Sequence, residues 1–408
     1  MEFDKLIRKI NKHKNKFDIE IYLVGGSVRD LCLELNPTDL DFVFIDNKNN
    51  IEKFIEVTFC PSNLEKSLFN TYKFNYNNYS LDFAMCRNEI YEQPASLPVV
   101  KKGNLIDDYK RRDFTVNSMY INLDTFSINN IIDHSSGLED LKKKEIKNLH
   151  EKSFEDDPTR IFRAIRYSER LKFEIESQTL NQIHKYSSNI KNLTGTRVKN
   201  EIYKILNENN VHEILITCND LKIFNQLDLH INSPIQKPNW GKRKYTNFNH
   251  LINDQKSIHF KFIVFVSTFL NHIETSQIIK LSNYFGLEKK LQKSWENIAI
   301  SYNQLMKFDF NNGTNSELSK IIKNIDIESC IAFTQYLTNS QTERVYEYWD
   351  KNRNLKPQIS VKEILQLGIK ESPLLGKLIM ALQDAVIDGK LTTKTEELDF
   401  IRNFTNQD

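Results

Sequence analysis

The sequence predicts an α+β fold, a mixed-sheet head followed by a remainder that is almost all helix. Two patterns predict it. Strand-like runs rich in β-branched and aromatic residues are confined to the first third, and helical spacing takes over from about Leu141. With 408 residues the expectation is two to four domains, at least one with a sizeable core.

In chain order, MEFDKLIRKINKHKNKF has cations but no apolar stretch leading to a small-residue cleavage site, so a short amphipathic helix is expected rather than a secretory signal. Strands are expected in IEIYLVGG, LDFVFID, YKFNYNNYSLDFAMC and FTVNSMYINL. Helices are expected in RIFRAIRYSERLKF, EIYKILNENNVHEILITC and SPLLGKLIMALQDAVI. FKFIVFVSTFL, from Phe260 to Leu270, is far short of the roughly 20 residues of a membrane span and is expected to be a buried helix. Punctuation suggests boundaries near Gly137, at 232 to 250 and at 308 to 316.

Fifty-six Lys+Arg against fifty-four Asp+Glu leave a net charge of +2, so local clusters matter more than overall charge. Five scattered cysteines without a CxxC spacing argue against a disulfide framework or a cysteine zinc site and suit a reducing cytoplasm. None of the nine histidines has a metal-ligand spacing.

The chemistry concentrates in LVGGSVRDLCLELNPTDLDFVF, residues 23 to 44. After a buried strand, Gly25 and Gly26 permit a tight turn and close approach of a ligand. Ser27 and free N–H groups of the next helix can meet phosphate oxygens, with Arg29 reaching the same charge. An ordinary strand–turn–helix would also use the glycine pair. Asp39 and Asp41, two apart on a strand, point to one face, and their mutual repulsion is relieved by a hard cation such as Mg²⁺ that also takes substrate phosphates. Asp82, in LDFA, is a candidate third carboxylate, or an edge-strand aspartate facing solvent. Two metals held by such carboxylates suit in-line displacement at phosphorus.

These residues resemble the nucleotidyltransferase superfamily that includes DNA polymerase beta, and more narrowly the class II tRNA nucleotidyltransferase and bacterial poly(A) polymerase family. RNEIYEQPASLPVV, RRDFTVNSMYINL, GLEDLKKKEIKNL, EDDPTRIFRAIRYSERLKFEI and TGTRVKNEIYKIL follow in the family's order, within about the first 210 residues. The resemblance implies a catalytic head at 1–140, a base-selecting helical neck at 141–210, a helical body at 211–307 and a helical, tRNA-holding tail at 308–408, the last three forming an elongated all-helical part. It implies metal carboxylates at Asp39 and Asp41, and nucleotide contacts at Gly26, Arg29, Arg112 and Asp113, with Asn117 supporting.

Asp157 and Arg160 match the acid-x-x-arginine pair that reads the incoming base; a carboxylate accepts from an exocyclic amine and a guanidinium donates to ring acceptors, which suits C or A. Arg163 and Arg166, at intervals of three on the same helix, would meet phosphates or brace the site. The usual Glu-Asp is Asp156-Asp157 here. Arg87, Glu89 and Tyr91 match RxExY, which leads into a flexible loop whose undiminished length favours CCA or terminal A addition. KPNWGKRKY offers Lys242, Arg243 and Lys244 to RNA phosphate, or is an exposed basic loop.

The resemblance implies Mg²⁺-dependent completion or repair of the 3'-CCA of tRNA from CTP and ATP, with recognition of the acceptor end and top half. Rivals are an A-adding or CC-adding specialist, a poly(A) polymerase of the same fold, and a non-catalytic RNA-binding protein. No membrane association is expected.

Overall fold

A seven-stranded sheet organises the head: β1 (Ile19–Val24), β2 (Asp39–Asp46), β3 (Glu65–Lys66), β4 (Thr71–Tyr76), β5 (Tyr79–Met85), β8 (Met119–Asn122) and β9 (Ile131–Asp133), in the spatial order β3-β4-β5-β2-β1-β8-β9. Within this sheet, among the described residues, β2 and β5 pair parallel and the other neighbours antiparallel. Two further strands, β6 (Arg87–Ile90) and β7 (Val99–Lys102), form a separate antiparallel ribbon. This computed structural model describes residues 2–67, 69–229, 258–270, 273–334 and 336–405. The described residues fall into two compact units, up to Leu227 and from Asp228.

Alternation along β2 explains where the chemistry sits. Leu40, Phe42 and Phe44 are buried on one face, where Phe42 stacks on Phe83 of β5 at 4.7 Å between ring centroids and Phe83 meets Phe54 and Phe59 of the helix Ile51–Phe59. The opposite face of β2 begins with Asp39 and Asp41 and continues with Val43. Val43 joins Tyr22, Val24, Cys86 and Tyr120 in an apolar cluster covered by Leu105 and Tyr109. That face is thus closed by apolar packing at one end and left acidic at the other.

The N-terminal segment is the amphipathic helix α1 (Glu2–Phe17), with Leu6, Ile7 and Ile10 buried. The glycine turn leads into α2 (Gly26–Cys32). Further on come α3 (Ile51–Phe59), α4 (Leu105–Lys110), α5 (Gly137–Lys143), α6 (Ser153–Asp156), α7 (Thr159–Leu171), α8 (Ser177–Tyr186), α9 (Gly195–Ile205) and α10 (Val211–Asp220). The expected strand at FTVNSMYINL begins only at Met119. Thr115–Asn117 is instead a 3-10 turn, because the Asn117 side chain is held by Arg29 and Asp113. Short parallel strands at Glu145–Ile146 and Glu174–Ile175 interrupt the region expected to be helical.

The second unit is helical throughout its described residues. FKFIVFVSTFL lies in the helix Ile258–Ser267 and the turn after it, with Phe262 and Phe265 packed on Phe285 and Trp295. Nearer the C-terminus, Ile359, Ile364, Leu375, Leu378, Leu382 and Ile401 form another apolar cluster. No described helix is long and apolar enough to cross a membrane.

Candidate active site

The site grows from the turn between β1 and α2. Gly25 has φ +73° and ψ −138°, a conformation that side chains other than hydrogen rarely permit. A Cβ there would lie 3.4 Å from Asp41 Oδ2 and 3.5 Å from Arg112 Nη1. The space beside the turn that only a glycine leaves open is therefore bounded by the acidic strand and by Arg112. Ser27 is buried and fixes that strand: its hydroxyl donates to Asp39 O at 3.1 Å and accepts from Asp41 N at 2.9 Å.

Asp39 and Asp41 are exposed on the same face of β2. Asp41 keeps an open flank, yet crowding by protein pushes its carboxyl above the usual range; Arg112 opposes this and Asp39 adds to it. In-register pairing sets Asp82 of β5 beside Asp41. Burial, then the Asp41 charge, pushes the Asp82 carboxyl up to about 6. β5 lies between β4 and β2, so the edge-strand reading of Asp82 is corrected: LDFA is an interior strand, and its acid is on the Asp41 face with Lys73 across from it.

Among the described residues no three His, Cys, Asp or Glu side chains converge closely enough to hold a metal alone. The donor set does fit Mg²⁺, which takes one or two carboxylates and leaves the remaining positions to water and substrate phosphate. Asp39 and Asp41, like charges on the same face of β2, supply that number of donors.

Next to this acidic end, a polar cleft of about 320 Å³ is lined by the RxExY residues Arg87, Glu89 and Tyr91, by Arg111, Arg112 and Asp113, and by Asp157, Thr159, Arg160, Arg163, Glu201 and Lys204. Its floor is a buried ionic network. Asp108, fully buried in α4, accepts from Arg111 Nε and Nη2 at 2.8 and 2.6 Å, from Arg112 Nε and Nη2 at 3.0 and 2.8 Å, and from the Tyr120 hydroxyl at 3.0 Å. Burial alone would raise its carboxyl; Arg112 and Arg111 outweigh that and hold it below the usual range. Glu89 plays a similar part, accepting from Arg87 Nε at 2.8 Å and from the Tyr91 hydroxyl at 2.9 Å.

The arginines of α7 diverge from their common spacing. Arg160 is buried, its Nη1 donating to Ser153 Oγ at 2.9 Å and its Nη2 to Arg111 O at 2.7 Å. Arg163 donates from Nε to Asp113 Oδ2 at 2.7 Å, and, against its burial, this partner holds the Asp113 carboxyl at about 2. Arg166 turns to Glu208 at 3.2 Å. Asp157 is not paired with Arg160: its Oδ1 accepts from Thr159 N at 3.0 Å and from Arg197 Nη2 at 2.8 Å. Arg197 Nη1 also donates to Ala95 O at 2.6 Å, tying the loop after RxExY to α9.

Of the residues expected at the site, Arg87, Glu89, Tyr91, Arg112, Asp113, Asp157, Arg160 and Arg163 line the cleft, and Gly25 and Asp41 adjoin Arg112. Ser27, Arg29, Asn117 and Arg166 are buried outside the cleft lining. Arg29 donates to Asn117 Oδ1 at 2.6 Å and to Asp30 Oδ1 at 2.6 and 2.8 Å, so it braces α2 against the 3-10 turn. Asn117 in turn donates to Asp113 Oδ1 at 3.3 Å. Lys242, Arg243 and Lys244 lie outside the described residues.

Asp108, Arg197 and Glu201 were not singled out from the sequence. Asp108 carried a usable signal, since it stands three and four places before Arg111 and Arg112 on a helical segment.

Residues 21–147 match the family model described as the poly A polymerase head domain, and residues 172–231 that described as the "probable RNA and SrmB- binding site of polymerase A". An A-adding tRNA nucleotidyltransferase of Halalkalibacterium halodurans is 24% identical over 98% of this chain and 92% of its own length. A CCA-adding enzyme of Staphylococcus epidermidis is 28% identical over 57% of this chain and 59% of its own length. Among solved structures, an apo CCA-adding enzyme matches with a TM-score of 0.75 and 24% identity over 98% of this chain and 96% of the other, a likeness of fold.

Proposed function

We propose that this chain, whose residues 21–147 match the poly A polymerase head domain, is a tRNA nucleotidyltransferase that completes or repairs the 3'-CCA end from CTP and ATP and releases pyrophosphate. One observation carries the reading. The space that a side chain at Gly25 would occupy is bounded by the carboxylate of Asp41 and the guanidinium of Arg112, so an acidic, cation-ready strand end and an arginine-lined cleft face one small opening beside the turn.

In this reading Asp39 and Asp41 hold Mg²⁺, which when bound lowers the cost of developing charge on the phosphates and on the attacking 3'-hydroxyl. Gly25 lets the triphosphate approach the backbone. Arg112 is held by Asp108 and Tyr120 through Nε and Nη2, which leaves Nη1 toward the turn to meet phosphate oxygens. Asp113 keeps Arg163 in place at the cleft. The tRNA partner is carried here from the named A-adding relative, and the CTP and ATP substrates from similar structures of a CCA-adding enzyme in complex with each nucleotide.

For base reading, Asp157 has Oδ1 committed to Thr159 and Arg197, while Oδ2 takes none of these bonds and can accept from an exocyclic amine. Arg160 lies beside it on the cleft wall.

A second reading, terminal A addition only, is favoured by the A-adding relative that the chain matches over 92% of that relative's length. Incubation with tRNA ending before the first C, after one C and after CC, with each labelled nucleotide, separates the two. Incorporation of C then A supports CCA addition. A alone, and only on the CC end, supports the specialist; long A tracts on generic RNA indicate a poly(A) polymerase.

A further inference from the structure

Glu201 is a buried carboxylate with one of its two oxygens unpartnered. It sits on α9, is 5% exposed, and lines the same cleft as Asp157 and Arg160. Its Oε1 accepts from Lys204 Nζ at 2.6 Å. Its Oε2 is buried and has no hydrogen-bond partner. A buried acceptor left this way is costly, and in native proteins such an atom is normally satisfied by protein, water or ligand. Lys204 is partly exposed and already engaged through the other oxygen. Arg163 is near enough for Glu201 to favour its charged form, yet it spends Nε and Nη2 on Asp113.

We infer that Glu201 is a specificity residue of the cleft, its Oε2 accepting an N–H from the exocyclic amine of a cytosine or adenine base. A carboxylate only accepts. Cytosine and adenine present an amine at the edge where guanine presents a carbonyl, and uracil, like thymine, does too. An acceptor at that point therefore favours C and A together and opposes G and U. This rests on the nucleotide-transfer reading for the identity of the ligand. It adds a second carboxylate to base selection, one held rigidly by burial where Asp157 shares an oxygen with Arg197.

The test is direct binding of CTP, ATP, UTP and GTP to wild type and E201Q by calorimetry with Mg²⁺ present, alongside incorporation into tRNA. The glutamine keeps the volume and can still accept from Lys204 through Oε1, while its amide nitrogen stands where Oε2 was and donates. E201Q should shrink the preference for CTP over UTP and for ATP over GTP by about tenfold or more, with UTP and GTP binding tighter in absolute terms. Unchanged ratios with only a lower melting temperature or an equal loss for all four nucleotides would overturn the inference. So would a change confined to discrimination against 2'-deoxynucleotides, which would assign Glu201 to the ribose. Wild-type protein that selects C and A in binding but transfers neither to RNA would leave this inference standing and remove the transferase reading; wild type without base preference would remove the inference.

Discussion

Asp108→Ala removes the acceptor on which the cleft floor is built. The carboxylate takes two bonds from Arg111, two from Arg112 and one from Tyr120. Asp108 is 0% exposed, and the Arg111 and Arg112 side chains are only 15% and 14% exposed, so neither guanidinium can regain full hydration when its partner goes. Breaking a buried ion pair from one side costs about 3–5 kcal/mol, and with neither arginine able to rehydrate fully the expected loss is at least about 3 kcal/mol. The assay is urea denaturation, with the change taken from midpoints at a common slope. Arg112 also loses the bonds that aim Nη1 at the glycine turn, so in the fraction that stays folded, nucleotide KM should rise more than kcat falls. The folded pKa of Asp108 is depressed, so its stabilisation is present above the ordinary carboxylate value of about 3.9 and lost as pH falls through the folded value. A loss below about 1 kcal/mol with unchanged KM would refute the view that Asp108 organises the cleft.

Gly25→Ala places a side chain at φ +73° against Asp41 and Arg112, and nucleotide incorporation should drop at least about tenfold with about 1–3 kcal/mol of destabilisation, read by single-turnover kinetics and thermal melting. Arg197→Ala frees both Asp157 and the Ala95 carbonyl; limited proteolysis should cut faster within residues 91–98, and misincorporation assays should show weaker base discrimination at little change in triphosphate affinity. Burial, then Arg160, pushes His150 down to about 4, below its ordinary 6.5. The unfolded chain therefore binds more protons between those values, and stability should fall as pH drops from about 6.5 toward 4. His150→Gln should flatten that limb of a melting-temperature profile, and a profile unchanged by the substitution would count against the assignment.

The head's outline was legible because alternating burial leaves a clear mark: IEIYLV and LDFVFID are strands at nearly the expected bounds, and the acids of β2 share a face as their spacing requires. The amphipathic N-terminal helix was equally plain. The ribbon of β6 and β7 was not, since RNEI and VVKK are short and mostly exposed or half-buried, with no apolar alternation to announce them. At the site, local motifs named many of the cleft residues, but the partner of each charge depends on contacts across long stretches of chain. The three arginines at intervals of three reach Ser153, Asp113 and Glu208, and Asp157 finds Arg197 rather than the arginine three places away. Spacing on one helix fixes the directions in which side chains leave it, while their partners are fixed by what tertiary packing brings opposite.

The most direct test of the transferase assignment is nucleotide incorporation by Asp39→Ala and Asp41→Ala, measured with Mg²⁺ on tRNA lacking its 3' end and paired with a tRNA-binding assay. Incorporation should fall to background in both variants while tRNA affinity changes by less than about threefold, since the acids hold a cation rather than RNA. Incorporation at wild-type rates in either variant would contradict the account.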